Sequence, residues 1–169
     1  MSETQSNGSG NGKATLEAED VAAAAGNGDA MLELTKKDFS SDQETRWCPG
    51  CGDYAILKAM QRTLVDIGAT KENTVFISGI GCAARFPYYM ATYGFHTIHG
   101  RAPSVGTGIK LANPDLDVWV ITGDGEMLMG LGGLATIADQ APENLAVLVL
   151  DNEIFGETGG QPTHTAGLA

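Results

Sequence analysis

Asp117-Val-Trp-Val-Ile-Thr-Gly-Asp-Gly-Glu126 and Leu145-Ala-Val-Leu-Val-Leu-Asp-Asn152 decide how this chain folds. Each opens as an apolar run of buried-strand length and closes on small or polar residues. Between them Met127–Gln140 has helical composition, loosened by Gly130, Gly132 and Gly133. Outward along the chain, Thr74–Ser78 is another buried run ending in Gly79-Ile80-Gly81, and Phe95–His99 is a brief fourth strand. Ala102–Ala112 predicts a helix with Pro103 in its first turn. Cys82–Tyr93, with Pro87 inside it, predicts a short irregular helix. Ile56, Leu57, Met60, Leu64 and Ile67 fall at helical spacing, giving a helix from Tyr54 to Asp66, capped by Asp53 and stopped at Gly68. Strands alternating with helices mean an α/β fold, a parallel sheet with helices on both faces. Ligands in such folds bind beyond the carboxyl ends of the strands. No closing strand or helix follows Leu150, so the fold is expected to be truncated at its C-terminus.

The two strand ends carry the first chemistry. Gly123 and Gly125 let the backbone turn tightly beside Asp124, and Asn152 offers an amide oxygen 28 residues later. A strand-helix-strand unit sets these ends side by side, with a helix N-terminus aimed at any phosphate. Mg²⁺ takes hard oxygen ligands in near-octahedral geometry. Asp124, Asn152 and the backbone carbonyl of Ile154 supply a carboxylate and two neutral oxygens, the set a diphosphate-bound Mg²⁺ needs. Gly-Asp-Gly followed at this span by Asn is the fingerprint of thiamine diphosphate binding. The plain alternative is an ordinary turn followed by an Asn loop.

Composition narrows the partners. The net charge is −11, and residues 1–45 hold nine acids against three lysines, with no aromatic before Phe39. Such a segment buries too little apolar surface to offset its ordering entropy. Residues 1–44 are therefore expected to be a disordered acidic tail, with at most a weak helix near Ala14–Ala25, and 45–169 an incomplete thiamine diphosphate-binding domain. An acidic surface repels phosphate, so neither nucleic acid nor an anionic membrane is an expected partner. The first residues lack the basic and apolar regions of a secretory signal, and no apolar stretch has membrane-spanning length. A cytoplasmic setting is expected.

Trp47-Cys48-Pro49-Gly50-Cys51-Gly52 places two thiols on one turn, and Cys82 follows 31 residues after Cys51. Three thiols suit an iron–sulfur cluster that draws a fourth ligand from elsewhere. Three alternatives stand beside it: zinc with His96 or His99, a thioredoxin-like dithiol, or unrelated thiols. The dithiol is the poorer of these, because a polar segment and not a strand precedes Trp47.

Trp47–Tyr54, Ser78–Cys82, Arg85–Tyr89 and Tyr93–Arg101 together resemble the β subunit of 2-oxoacid:ferredoxin oxidoreductases, the 2-oxoglutarate type most closely. The similarity is dense from Ser40 to Gly125. It implies that Cys48, Cys51 and Cys82 are three ligands of a [4Fe–4S] cluster whose fourth cysteine lies beyond Ala169. It implies that Ile80, Gly81 and Cys82, with Gly123–Glu126, Asn152, Ile154 and Gly156, line the cofactor pocket, and that His99 and Arg101 act on the substrate. It also implies oxidative decarboxylation of a 2-oxoacid to an acyl-CoA, with ferredoxin as acceptor and coenzyme A as co-substrate. An α subunit completes a heterodimer and supplies the activating Glu, for which this chain shows no equivalent motif. From Glu126 onward the residues look more like thiamine diphosphate-dependent decarboxylases of the sulfopyruvate and phosphonopyruvate type. A mosaic, a non-oxidative decarboxylase subunit and an inactive fragment are therefore alternatives. Lys110 and His164 (in Pro162-Thr163-His164-Thr165) are further candidates for contacts with substrate or cofactor.

Overall fold

The computed structural model describes residues 34–167. The acidic segment before Leu34, with the helix expected near Ala14–Ala25, lies outside the described residues. The packed unit begins at Leu34, eleven residues before the boundary expected near Thr45. Phe39 is the reason. This first aromatic is fully buried beside Trp47, Tyr89 and Met90. Its neighbours join the body through the backbone, with Ala91 N–H donating to the Phe39 carbonyl at 2.9 Å and Ser40 bridging Met90. Full burial of such a side chain contributes about 2–3 kcal/mol, enough to anchor a short polar segment.

Helix α1 spans Asp53–Asp66. Asp53 is its first residue and not its cap; Gly52 holds the N-cap position, and no side chain caps it. Leu57, Met60 and Leu64 are buried, while Ile67 is exposed beyond the last turn, where Gly68 takes φ +69°. Strand β1 (Thr74–Ser78) is buried throughout. A 3₁₀ turn at Ala83–Arg85 leads into α2 (Phe86–Tyr89). Strand β2 is Tyr93–His96, shifted from the expected Phe95–His99. The chain leaves the sheet at Thr97 and turns at Gly100, which adopts φ +71°. Helix α3 (Ala102–Ala112) and strand β4 (Leu145–Leu150) match their expected bounds.

Strand β3 covers Asp117–Gly123, and helix α4 starts at once with Asp124–Met129. The single helix expected over Met127–Gln140 is two helices, because Gly130 separates α4 from α5 (Leu131–Gln140). Gly130 sits against Gly100, and a Cβ there would stand 2.8 Å from the Gly100 carbonyl oxygen. The Gly-rich stretch read as irregular holds a small antiparallel hairpin of β5 (Ile154–Phe155) and β6 (Gln161–Pro162).

The four longer strands form one parallel sheet in the order β2-β1-β3-β4. Alternate residues face opposite sides, as the strand period requires. Val75, Ile77, Val118 and Val120 face Ala102 of α3. Phe76 and Ile121 face Leu57, Met60 and Leu64 of α1. Helices thus cover both faces, the expected doubly covered α/β arrangement. The connection after β1 runs to one side and that towards β3 to the other. The ends of β1 and β3 therefore flank the crevice where such sheets bind ligands.

Candidate cofactor site

A cleft of about 680 Å³ opens at this point, beyond the carboxyl ends of β1, β3 and β4. All ten residues expected around the cofactor line it: Ile80, Gly81, Cys82, Gly123, Asp124, Gly125, Glu126, Asn152, Ile154 and Gly156. Parallel pairing explains the convergence. Gly123 lies opposite Leu150 in the sheet, so Asp124 and Asn152 follow directly from adjacent strand ends.

Asp124 is the first residue of α4 and is almost fully buried. Its Oδ2 accepts hydrogen bonds from the hydroxyls of Thr163 (2.5 Å) and Thr165 (3.0 Å). Burial pushes its pKa up, but bonds from Thr163, Thr165 and the backbone N–H groups of Asn152 and Asp124 outweigh it. The net shift is downward, so the carboxylate is ionised at neutral pH. The Thr165 hydroxyl also lies 2.9 Å from Asp151 Oδ1 and shares its one proton between the two carboxylates, tying the segment after β6 to the end of β4. Asn152 is exposed, and its Oδ1 accepts the Ile154 N–H at 3.2 Å. Glu153 sits between them at φ +63°, which turns the loop back over the cleft. Gly125 cannot carry a side chain without disturbing the Phe155 ring, which a Cβ would approach to 2.5 Å.

Glu126 points the other way. Its Oε1 accepts the Gly100 N–H at 3.2 Å and its Oε2 accepts the Thr122 hydroxyl at 3.0 Å. Burial pushes its pKa up, more than the bonds from Thr122, Gly100 and Ile80 and the nearby His99 pull it down.

Cys48, Cys51 and Cys82 line the same cleft as free thiols. The Trp47 indole donates to the Cys82 carbonyl at 2.8 Å, pinning the two cysteine-bearing turns together. Burial, then Asp53, Cys51 and Cys48, push the Cys82 thiol up, with Arg85 opposing. Among the described residues, no three His, Cys, Asp or Glu side chains are close enough to share one metal ion. His96 faces Ser78 and the Ala84 carbonyl.

The remaining candidates divide. His99 lines the cleft. Arg101 is exposed at the start of α3, outside the lining. Lys110 is buried near the opposite end of the sheet, where its Nζ donates to the carbonyls of Pro114 and Leu116. Its charge is engaged by the backbone just beyond the end of α3. His164 is exposed. Its neighbours Thr163 and Thr165 are the residues that meet Asp124. His164 is the candidate the sequence offers here, but the hydroxyls at both its flanks, visible in Thr163-His164-Thr165, are the groups that reach Asp124.

Residues 79–168 match the family described as thiamine pyrophosphate enzyme, C-terminal TPP binding domain. This chain belongs to that family. It is 55% identical over 133 residues to the 2-oxoglutarate oxidoreductase subunit KorB of Mycobacterium tuberculosis, covering 78% of this chain and 36% of that one. It is 44% identical over 129 residues to subunit beta of 2-oxoacid:ferredoxin oxidoreductase 2 of Aeropyrum pernix, covering 76% and 41%. Among solved structures, the 2-oxoglutarate:ferredoxin oxidoreductase of Magnetococcus marinus, with 2-oxoglutarate, coenzyme A and succinyl-CoA bound, superposes with a TM-score of 0.75 at 40% identity. That match covers 80% of this chain and 46% of the other. The chain thus spans less than half the length of these relatives. The resemblance to β subunits of these oxidoreductases holds, and the family match spans Gly123–Glu126. Asp124 and Asn152 both lie within the matched residues and line the same cleft.

Proposed function

We propose that this chain is the cofactor-binding part of a β subunit that works in oxidative decarboxylation of 2-oxoglutarate to an acyl-CoA, with ferredoxin as electron acceptor. The observation that carries this reading is the meeting of Asp124, Asn152 and three cysteines in one cleft of a thiamine pyrophosphate enzyme.

The residues fit the metal and the cofactor. Asp124 keeps one oxygen engaged by Thr163 and Thr165. Its Oδ1, the Asn152 amide oxygen and the Ile154 carbonyl are the hard donors that would hold Mg²⁺ and, through it, the diphosphate. The short helix α4 and the side-chain-free Gly123 and Gly125 give the phosphates close backbone. Bound thiamine diphosphate supplies an electron sink for loss of CO₂ from a 2-oxoacid. Cys48, Cys51 and Cys82 would hold a [4Fe–4S] cluster beside it, with the fourth ligand from outside these residues. His99 borders the cleft and is the side chain placed to orient substrate. An α subunit supplies the activating carboxylate and completes a heterodimer in the cytoplasm. No helix among the described residues is long and apolar enough to cross a membrane.

The test is reconstitution of the full-length subunit with its α partner, thiamine diphosphate, Mg²⁺ and iron–sulfide. Reduction of ferredoxin that requires both 2-oxoglutarate and coenzyme A supports the reading. Release of an aldehyde without acceptor reduction would replace it with the decarboxylase.

A further inference from the structure

Asp124 and Glu126 lie two residues apart on α4, so their side chains point about 200° apart around the helix. Asp124 meets Thr163 and Thr165 on the β4 side of the cleft. Glu126 reaches under the opposite side, towards the ends of β1 and β2. There it is 3% exposed, as buried as a core residue. Its carboxyl takes the Gly100 N–H from the turn after β2 and the Thr122 hydroxyl from β3, and it lies directly against Gly79 at the turn after β1.

The space around it is shaped for this group. A Cβ on Gly79 would overlap the Glu126 carboxyl, so this glycine is the vacancy the side chain fills. A Cβ on Gly100 would press on the Met129 backbone at 2.8 Å, so that turn lies directly on the end of α4. Glu126 is in no salt bridge among the described residues; His99 is the neighbour whose charge acts on it. A buried carboxyl outside any salt bridge is a costly way to fill a core. Its contacts therefore have to secure something an apolar residue would not: its bond to Gly100 ties down the turn carrying His99, and its packing against Gly79 holds the turn that leads to Cys82.

We infer that Glu126 is a positioning residue: it fixes the Ile80-Gly81-Cys82 turn and the His99-Gly100 turn against the helix start that carries Asp124. It thereby holds the cysteine side of the cleft in register with the diphosphate side. The inference rests on the proposed cofactor and cluster, and extends that reading to how Glu126 joins the two sides of the cleft.

The experiment compares wild type, Glu126→Ala, Glu126→Gln and Glu126→Asp in the assembled enzyme. Three quantities are measured: thiamine diphosphate affinity by calorimetry, the electron paramagnetic resonance spectrum of the reduced cluster, and hydrogen exchange at the Ile80 and Gly100 amides. Glu126→Ala is expected to speed exchange at both amides, alter the cluster spectrum and weaken cofactor binding roughly tenfold, the effect of orphaning two buried donors. Gln retains a carbonyl oxygen for Gly100 and an amide that can donate to Thr122, so it is expected to restore all three. Asp, one methylene short, is expected to behave like Ala, and serves if the Ala variant does not fold. Unchanged exchange at Ile80 and Gly100 in Ala or Asp, or a Gln variant as impaired as Ala, overturns the positioning role. Wild type that binds no thiamine diphosphate sinks the proposed function instead, while the exchange measurement still decides the role of Glu126.

Discussion

The two corners of the cleft are built differently. At the β3–β4 corner, Asp124 is buried, carries two hydroxyl donors and sits on a helix whose first residue it is. At the other corner, Cys48 and Cys82 are exposed, and the order comes from the Trp47 indole bonded to the Cys82 carbonyl. The diphosphate corner is organised by the fold before anything binds. At the cysteine corner that bond ties the backbone, while the thiols themselves are free. Preorganisation at the first corner lowers the ordering cost of binding. At the second, the bound group itself must supply the final geometry.

If the corners are separable in this way, damage to one should spare the other. The largest expected effect is Cys48→Ala, which should abolish the visible absorbance of a reconstituted cluster. Thiamine diphosphate affinity should then change by less than about threefold, since no diphosphate ligand is touched. A matching loss of cofactor binding, read by calorimetry, would show the corners to be one unit.

Gly100→Ala tests the rigid side. It forces a side chain onto φ +71° and against the Met129 backbone. Destabilisation of about 2–3 kcal/mol in urea unfolding is expected. A change within about 0.5 kcal/mol would mean that the turn is not held as described.

Thr163→Val removes one donor from Asp124 while keeping the shape of the residue. Mg²⁺-dependent cofactor affinity should fall roughly tenfold, the value of a hydrogen bond to a charged group. An unchanged affinity would show that the hydroxyl does not hold the carboxylate for the metal.

The smallest effect is on pH dependence. The Glu126 carboxyl is pushed above its ordinary value of 4.5 by burial. Its stabilising, protonated state is fully present below 4.5 and is lost as pH rises through the elevated folded value. Glu126→Gln cannot ionise. The two proteins should therefore melt alike at acid pH, with the variant higher by roughly a few degrees at neutral pH. Parallel melting curves across the whole range would contradict the burial argument.

Much of the diphosphate corner was legible in the sequence. An apolar run ending in Gly123-Asp124-Gly125, a helix and a second run ending in Asp151-Asn152 leave little freedom once the strands pair in parallel. The less visible features depend on contacts distant in sequence. Phe39 reads as one aromatic in a polar segment until the pocket formed with Tyr89 and Met90 receives it. The break at Gly130 comes from the approach of Gly100, thirty residues earlier, and not from local propensity. Thr163 and Thr165 matter because a two-strand hairpin, too short to show as a pattern, returns them to Asp124. Lys110 drew attention as a free charge, but neighbouring carbonyls satisfy it. Patterns that repeat along the chain were readable; single contacts that close the tertiary structure were not.

The central claim is that Asp124 and Asn152 hold Mg²⁺ for thiamine diphosphate. Calorimetric titration of thiamine diphosphate into the assembled enzyme, with and without Mg²⁺, tests it directly when wild type is compared with Asp124→Ala. Binding that requires Mg²⁺ and falls at least about a hundredfold in Asp124→Ala is the predicted result. Binding that is independent of Mg²⁺, or equal in the two proteins, would contradict it.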